Sequence, residues 1–473
     1  MRSLLFKIGM TICTGAILLA LLTGCAATAS STAAATTPTQ TTAAATSAAT
    51  QSVPAAPPAG APADGPGGAP GNAPGGAPGG GAASVDTGTG AYTLADGEAL
   101  NGGTYTSTNA DENALRAEGD VTASLNDVTV EKSAGVASSS DASSFYGLNA
   151  AILALDTATL NITGGTVTAS AEGANGVFAY DGSTIHIQDT TINVSGGNAG
   201  GIEVSGGATL TATNLTVNST VKAAIRSDRG GGTLTVDGGT YTTSGSSGAP
   251  AIYSTANITA NNATLTANDS EAVVVEGFNS VTLNDCTVTG NMSGTYGQAS
   301  GENIHNVMLY QSMSGDAETG TSSFTMTGGT LVSKNGDMFY VTNTNSVITL
   351  SGVDLTLADG AYLLRVSGND GSRGWGTAGS NGGNATFDLS GQTLSGDIFV
   401  DAISTLDMKI SNSSAFTGAI NPDGTQASSL SVTLDSTSTW TLTADSYVSA
   451  FNGSMDNVVT NGHTLYVNGS AIN

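Results

Sequence analysis

The hexapeptide LNDVTV occupies residues 125–130, and LNDCTV occupies residues 283–288. Only one letter differs across 158 residues. A hexapeptide that returns almost unchanged at that distance marks an internal repeat, and a repeat decides the architecture before any single motif does. Taking Val130 and Val288 as anchors, equivalent positions fall at Tyr105, Val167, Ile192, Val217, Tyr241, Leu265, Leu331, Leu355 and Leu394. In chain order the anchors are separated by 25, 37, 25, 25, 24, 24, 23, 43, 24 and 39 residues. The period is close to 24, lengthened three times by an insertion.

The columns around the anchor carry the physics. The residue before it is Thr in ten of eleven cases, with Asp354 the exception. Three before it stand Gly102, Asp127, Gly164, Asp189, Asn214, Gly238, Asn262, Asp285, Gly328, Gly352 and Gly391. Gly, Asn and Asp are the residues that tolerate a left-handed backbone, so this position turns the chain. Five before the anchor every residue is apolar, and seven before it all are apolar except Glu98. Alternating apolar and polar positions describe a strand with one buried face. The anchor then opens a second strand, and a third follows around residues 176–180, 201–205, 224–227, 272–276, 338–341 and 363–367. Three strands per turn of about 24 residues predict an all-β solenoid, a parallel β-helix of about thirteen rungs and about 60 Å.

These rungs resemble the right-handed, pectin-lyase-like β-helix. The segments ITGGTV, LTVDGGTYTT and STWTLTADSYV are similar to those of adhesin-like bacterial β-helix lipoproteins. The likeness spans roughly residues 91–473. It implies the fold and leaves the activity open, because this scaffold carries lyases, hydrolases, adhesins and phage spikes.

The N-terminal 24 residues read as a secretion signal, with Arg2 and Lys7 ahead of one apolar run. Leu22-Thr23-Gly24-Cys25 resembles the lipobox of bacterial lipoproteins, which implies diacylation of Cys25, anchorage to a lipid bilayer and a cell-surface location. The alternative is an uncleaved membrane anchor. Residues 25–88 are Ala, Thr, Ser, Pro and Gly with almost no charge, and nine of the eleven prolines lie there. That composition cannot offset chain entropy by burial, so the expectation is a disordered tether reaching about 40 Å. Residues 89–473 form the β-helix domain. Without Arg2 and Lys7 the chain has nine basic and 37 acidic residues, a net charge of −28. So acidic a surface argues against nucleic acid as a partner. Only Cys286 follows Cys25, so no disulfide holds the fold, and a monomer is expected.

Insertions at 133–147 (with Phe145 and Tyr146), 291–306 (with Tyr296, Glu302 and His305), 311–322 and 368–383 break the solenoid beside the third strand. Loops of this kind often form the binding face of a repeat protein. The scarce cations Lys222, Arg226, Arg229, Arg365 and Arg373 lie on or next to that strand, and Trp375 sits beside the last. Outward third-strand positions are expected at Phe178, Glu203, Arg226, Tyr253, Val274 and Tyr340. The candidate ligand-binding set is therefore Glu203, Arg226, Asp228, Arg229, Tyr340, Arg365, Arg373 and Trp375, along a groove of roughly 24 Å. Aromatic faces beside arginines and carboxylates suit a glycan or matrix ligand. The competing reading is a salt-bridge ladder with Glu203, Asp228, Glu271 and Glu276.

A lyase or glycoside hydrolase acting on an acidic glycan would need clustered carboxylates and a basic group at the scissile bond. Asp228, between Arg226 and Arg229, is the one acid with that character, and His186, His305 and His463 have no evident partner. No nucleophile, zinc or phosphate-loop motif appears, and no cofactor is implied. The acidic turns leave room only for weak surface Ca²⁺ sites. Threonine pairs on the second strands resemble ice-binding ladders, but Glu131, Asn193, Asn218 and Val332 interrupt them.

Overall fold

Leu125 and Leu283 stand in one continuous column. The register runs Leu125, Ile162, Ile187, Ala212, Val236, Ala260, Leu283, one residue per rung. The anchors Val130 and Val288 close a parallel column through Val167, Ile192, Val217, Tyr241 and Leu265. The repeated hexapeptide is therefore two rungs of one coil, about 29 Å apart at about 4.8 Å per rung. Its changed letter lies at the buried corner, where Val128 (2 % exposed) is replaced by Cys286 (0 %). The Cys286 thiol fills that corner as a small apolar group and reaches the Ala260 carbonyl at 3.3 Å.

The computed structural model describes residues 85–295 and 303–472. The leader, Cys25, the linker up to residue 84, and the loop residues Tyr296 and Glu302 lie outside the described residues. Within them, one rung consists of Thr184–Gln188, Thr191–Val194 and Ile202–Val204. Stacking such rungs builds three parallel sheets of fourteen, ten and twelve strands, here the first, second and third sheets. Ile185, Ile187, Ile192, Val194, Ile202 and Val204 point inward and are at most 2 % exposed. Each fully buried aliphatic contributes about 1.5–3 kcal/mol, so every added rung brings its own core. Among the described residues, no helix is long and apolar enough to cross a membrane.

The turn column behaves as its composition requires. From Gly102 to Gly391 all eleven positions have φ between 50° and 68°. Gly and Asp alternate partly for steric reasons. A Cβ on Gly164 would lie 2.1 Å from Asp127 Oδ1, and one on Gly328 would lie 2.2 Å from Asp285 Oδ1.

The solenoid runs further than the anchor spacing reveals. Leu394 is followed in register by Phe416, Trp440 and Val458, in strands Thr393–Ser395, Ala415–Thr417, Thr439–Thr441 and Val458–Val459. Here the left-handed turn falls on Asn412 and Ser413, one residue out of step with the Gly/Asn/Asp column. At the C-terminal end, Ser470–Ile472 turns back antiparallel onto Leu465–Val467 through Asn468 and Gly469, both at positive φ. A two-residue turn of that conformation matches the strand twist, and the reversal ends the parallel stack.

Candidate functional site

The outward column of the third sheet runs Leu153, Phe178, Glu203, Arg226, Tyr253, Val274, Met308, Tyr340, Arg365 and Phe399. All six positions expected to point out of the coil do so. Their exposure differs from the expectation. Phe178, Glu203, Arg226, Tyr253, Val274 and Tyr340 are each 4 % exposed or less. The insertions fold back over them, because a column containing Leu153, Phe178, Val274 and Met308 is apolar enough to need a cover.

The first cover is α1, Ser140–Tyr146, in the stretch expected to be a plain loop. Ser139 caps its N-terminus, and Gly147 ends it in the left-handed conformation. Asn175 Nδ2 donates to the Ser143 carbonyl at 2.9 Å, and Ser205 Oγ to the Phe145 carbonyl at 2.6 Å. Lys222 Nζ donates to Ser144 Oγ at 2.9 Å. The second cover is the loop after Tyr310. Its Ser312 hydroxyl contacts the Glu276 carboxylate, which also accepts from Tyr253 and Tyr310 at 2.5 and 2.9 Å. The third carries Trp375, whose ring centroid is 4.8 Å from that of Tyr310.

Beneath the first two covers lies a buried charged group. The Arg226 guanidinium contacts the Asp228 carboxylate, and its Nε is 3.5 Å from Glu203 Oε1. Neither Glu203 oxygen has a hydrogen-bond partner. Burial pushes the Glu203 carboxyl up to about 8 against the pull of Arg226. Burial, reinforced by Arg226, pushes the Lys222 amine down to about 7. The Asp228 and Glu276 carboxyls are raised by burial too.

The groove expected along this sheet is thus closed over its central length. Arg226, Asp228, Glu203, Tyr340 and Trp375 are buried, not solvent-facing. Arg229, Arg365 and Arg373 keep partial exposure, and each guanidinium lies over an aromatic ring: Phe145 at 4.0 Å, Tyr362 at 4.7 Å and Trp375 at 4.2 Å. The salt-bridge ladder holds for Glu203 and Asp228 with Arg226. It fails for Glu276, held by hydroxyls, and for Glu271, which accepts from Ser270 Oγ at 2.6 Å. Sequence reading missed Asp316, which pairs with Arg229 at 2.5 Å, and Asp337, which pairs with Arg365 at 2.5 Å. Their only signal was an acid near the edge of the third sheet. His305, expected in a loop, begins the strand His305–Tyr310 and is buried.

The other two faces are repetitive. Asn218 donates to Asn193 at 3.0 Å on the second sheet, and Asn284 to Asn261 at 2.8 Å on the first. Among the described residues the first sheet bears shallow depressions. One of about 300 Å³ is bordered by Asn161, His186 and Thr211, and one of about 430 Å³ by Asn345, Asn384 and Asp407. Among the described residues no three His, Cys, Asp or Glu side chains converge as a metal site.

Residues 150–311 match the family model described as a right handed beta helix region. No curated protein and no solved structure gives a significant match.

Proposed function

We infer, from a chain whose folded part is a right-handed parallel β-helix, that the protein is a non-catalytic, surface-tethered rod that binds glycan or extracellular matrix. One observation carries the reading. The described insertions fold over the third sheet, and the arginine–aromatic or arginine–carboxylate groupings built around Arg116, Arg226, Arg229, Arg365 and Arg373 all lie on its strands or in the segments that follow them. The first and second sheets repeat Thr, Ser and Asn. Individually built features on one face of an otherwise uniform rod favour recognition there. The lipobox at Cys25 and the linker up to residue 88 support display at a cell membrane, with the rod held away from the bilayer.

The second reading, a polysaccharide lyase or glycoside hydrolase, is favoured by the displaced titrations of Glu203 and Lys222, since perturbed groups gather at functional sites. Against it, α1 and Arg229 roof that group. A glycan array run beside an assay for new reducing ends or unsaturated products separates the two. Binding without turnover supports the rod. Turnover abolished by Asp228→Asn makes it an enzyme. For the anchor, a palmitate analogue labels the wild type and not Cys25→Ala, which is shed. A variant that stays fully membrane-bound removes the lipobox reading.

A further inference from the structure

The covers stop at Trp375, but the outward column does not. Phe399 follows Arg365 in register. The Ile398 strand then bridges to Ile420, and the Tyr447 amide donates to the Ile420 carbonyl at 2.9 Å. Tyr447 pairs with Tyr466 on the next rung. Tyr362, Phe399, Tyr447 and Tyr466 are all partly exposed. Tyr362 and Phe399 lie 5.7 Å apart, and Tyr447 stacks on Tyr466 at 4.7 Å with planes 4° apart. Phe399 to Tyr466 spans three rungs, about 14 Å, the length of a short oligosaccharide. Buried Asn421 occupies the rung between Phe399 and Tyr447, so the aromatic character of the third sheet resumes at Tyr447, which stays partly exposed although Gly424 lies near its ring.

Charge selects among glycans. Arg365 is not available to an anion, because its Nε is paired with Asp337 and its plane lies over Tyr362 and Phe399. Residues 384–473 hold eight Asp and one basic residue, Lys409, which pairs with Asp388 on the first sheet. Asp397 and Asp401 bracket the strand of Phe399, and Asp445 precedes that of Tyr447. A uronate polymer laid here would meet uncompensated like charge. Uncharged pyranoses meet rings for their C–H faces and carboxylates for their hydroxyls.

We propose that a neutral polysaccharide docks along the rod axis on Tyr362, Phe399, Tyr447 and Tyr466. The proposal rests on the glycan-binding reading above and narrows its ligand. Affinity electrophoresis of the full chain in laminarin, glucomannan and polygalacturonate tests it. A neutral polymer retards the protein and polygalacturonate does not. Tyr447→Leu and Phe399→Leu keep an apolar side chain but weaken retardation about five- to tenfold, the scale of one lost ring contact. Asn218→Ala, on the second sheet, changes nothing. In the wild type, the bound polymer also protects Tyr447 and Tyr466 from nitration, a readout independent of how the variants fold. Retardation without protection, and unchanged in both variants, overturns the strip while leaving glycan binding intact. Retardation by polygalacturonate alone overturns the choice of a neutral ligand. No retardation by any polymer removes both readings.

Discussion

The Arg229 guanidinium stands 4.0 Å from the centre of the Phe145 ring, while its Nη2 pairs with Asp316 at 2.5 Å. Phe145 belongs to α1 and Asp316 to the loop after Tyr310, so one side chain fastens two covers to each other. Arg229→Ala should loosen both and leave the coil intact. The expected cost is about 1 kcal/mol, since the side chain is 46 % exposed. Hydrogen exchange should rise in α1 and around Asp316 and stay unchanged at Ile187 and Val236. Uniform loss of protection along the rod would contradict the clasp.

Glu203 should give the protein an unusual pH profile. Its folded carboxyl titrates near 8, far above the ordinary 4.5. The folded state therefore holds a proton that the unfolded state releases, and stability falls as pH rises between about 4.5 and 8. Lys222, lowered to about 7 from 10.5, acts oppositely, adding stability as pH rises between those values. A minimum near pH 7–8 is expected in thermal melts, and Glu203→Gln should flatten the acid side of it. A melt that is flat from pH 4.5 to 8 in the wild type would contradict this assignment.

Tyr241 occupies an anchor position inside the coil, 0 % exposed, and its hydroxyl has no partner. Burial raises its pKa strongly. Tyr241→Phe removes an unsatisfied polar atom without opening a cavity, so it should raise stability by up to about 1 kcal/mol in denaturant titration. Marked destabilisation would mean that the hydroxyl is bonded.

Gly164→Ala should cost about 1–3 kcal/mol, because φ is 68° and the new methyl meets Asp127 Oδ1. In an Asp127→Gly background the carboxylate is gone and only the backbone term remains. The two changes should therefore be non-additive in a double-mutant cycle. Simple additivity would show that the rungs move apart instead.

How much was legible follows from what a column records. Inward positions are constrained by every neighbouring rung, so Leu125, Ile162 and Ile187 announce the coil in composition alone. Phe416 and Trp440 fell outside the anchor series because the turn before Phe416 moved onto Asn412 and Ser413, breaking its spacing, although STWTLTADSYV around Trp440 already resembles a β-helix segment. The outward direction of Glu203, Arg226 and Tyr340 was legible from strand alternation, but their burial was not. Alternation says which way a side chain leaves the coil, not what folds back over it. The cap signals of α1, Ser139 and Gly147, were present in the sequence. Only the fold shows that the short helix between them lies over Phe178.

The hairpin of Leu465–Val467 and Ser470–Ile472 gives the rod a finished tip, whereas Thr89–Thr93 at the other end is paired on one side only. Backbone hydrogen bonds between rungs run along the axis, so a pull transmitted through the residues before Thr89 loads them one rung at a time. The molecule should yield under tension as a zip opened from its base. Force would be spent peeling single rungs from the base, and the aromatic tip would be the last part to unravel.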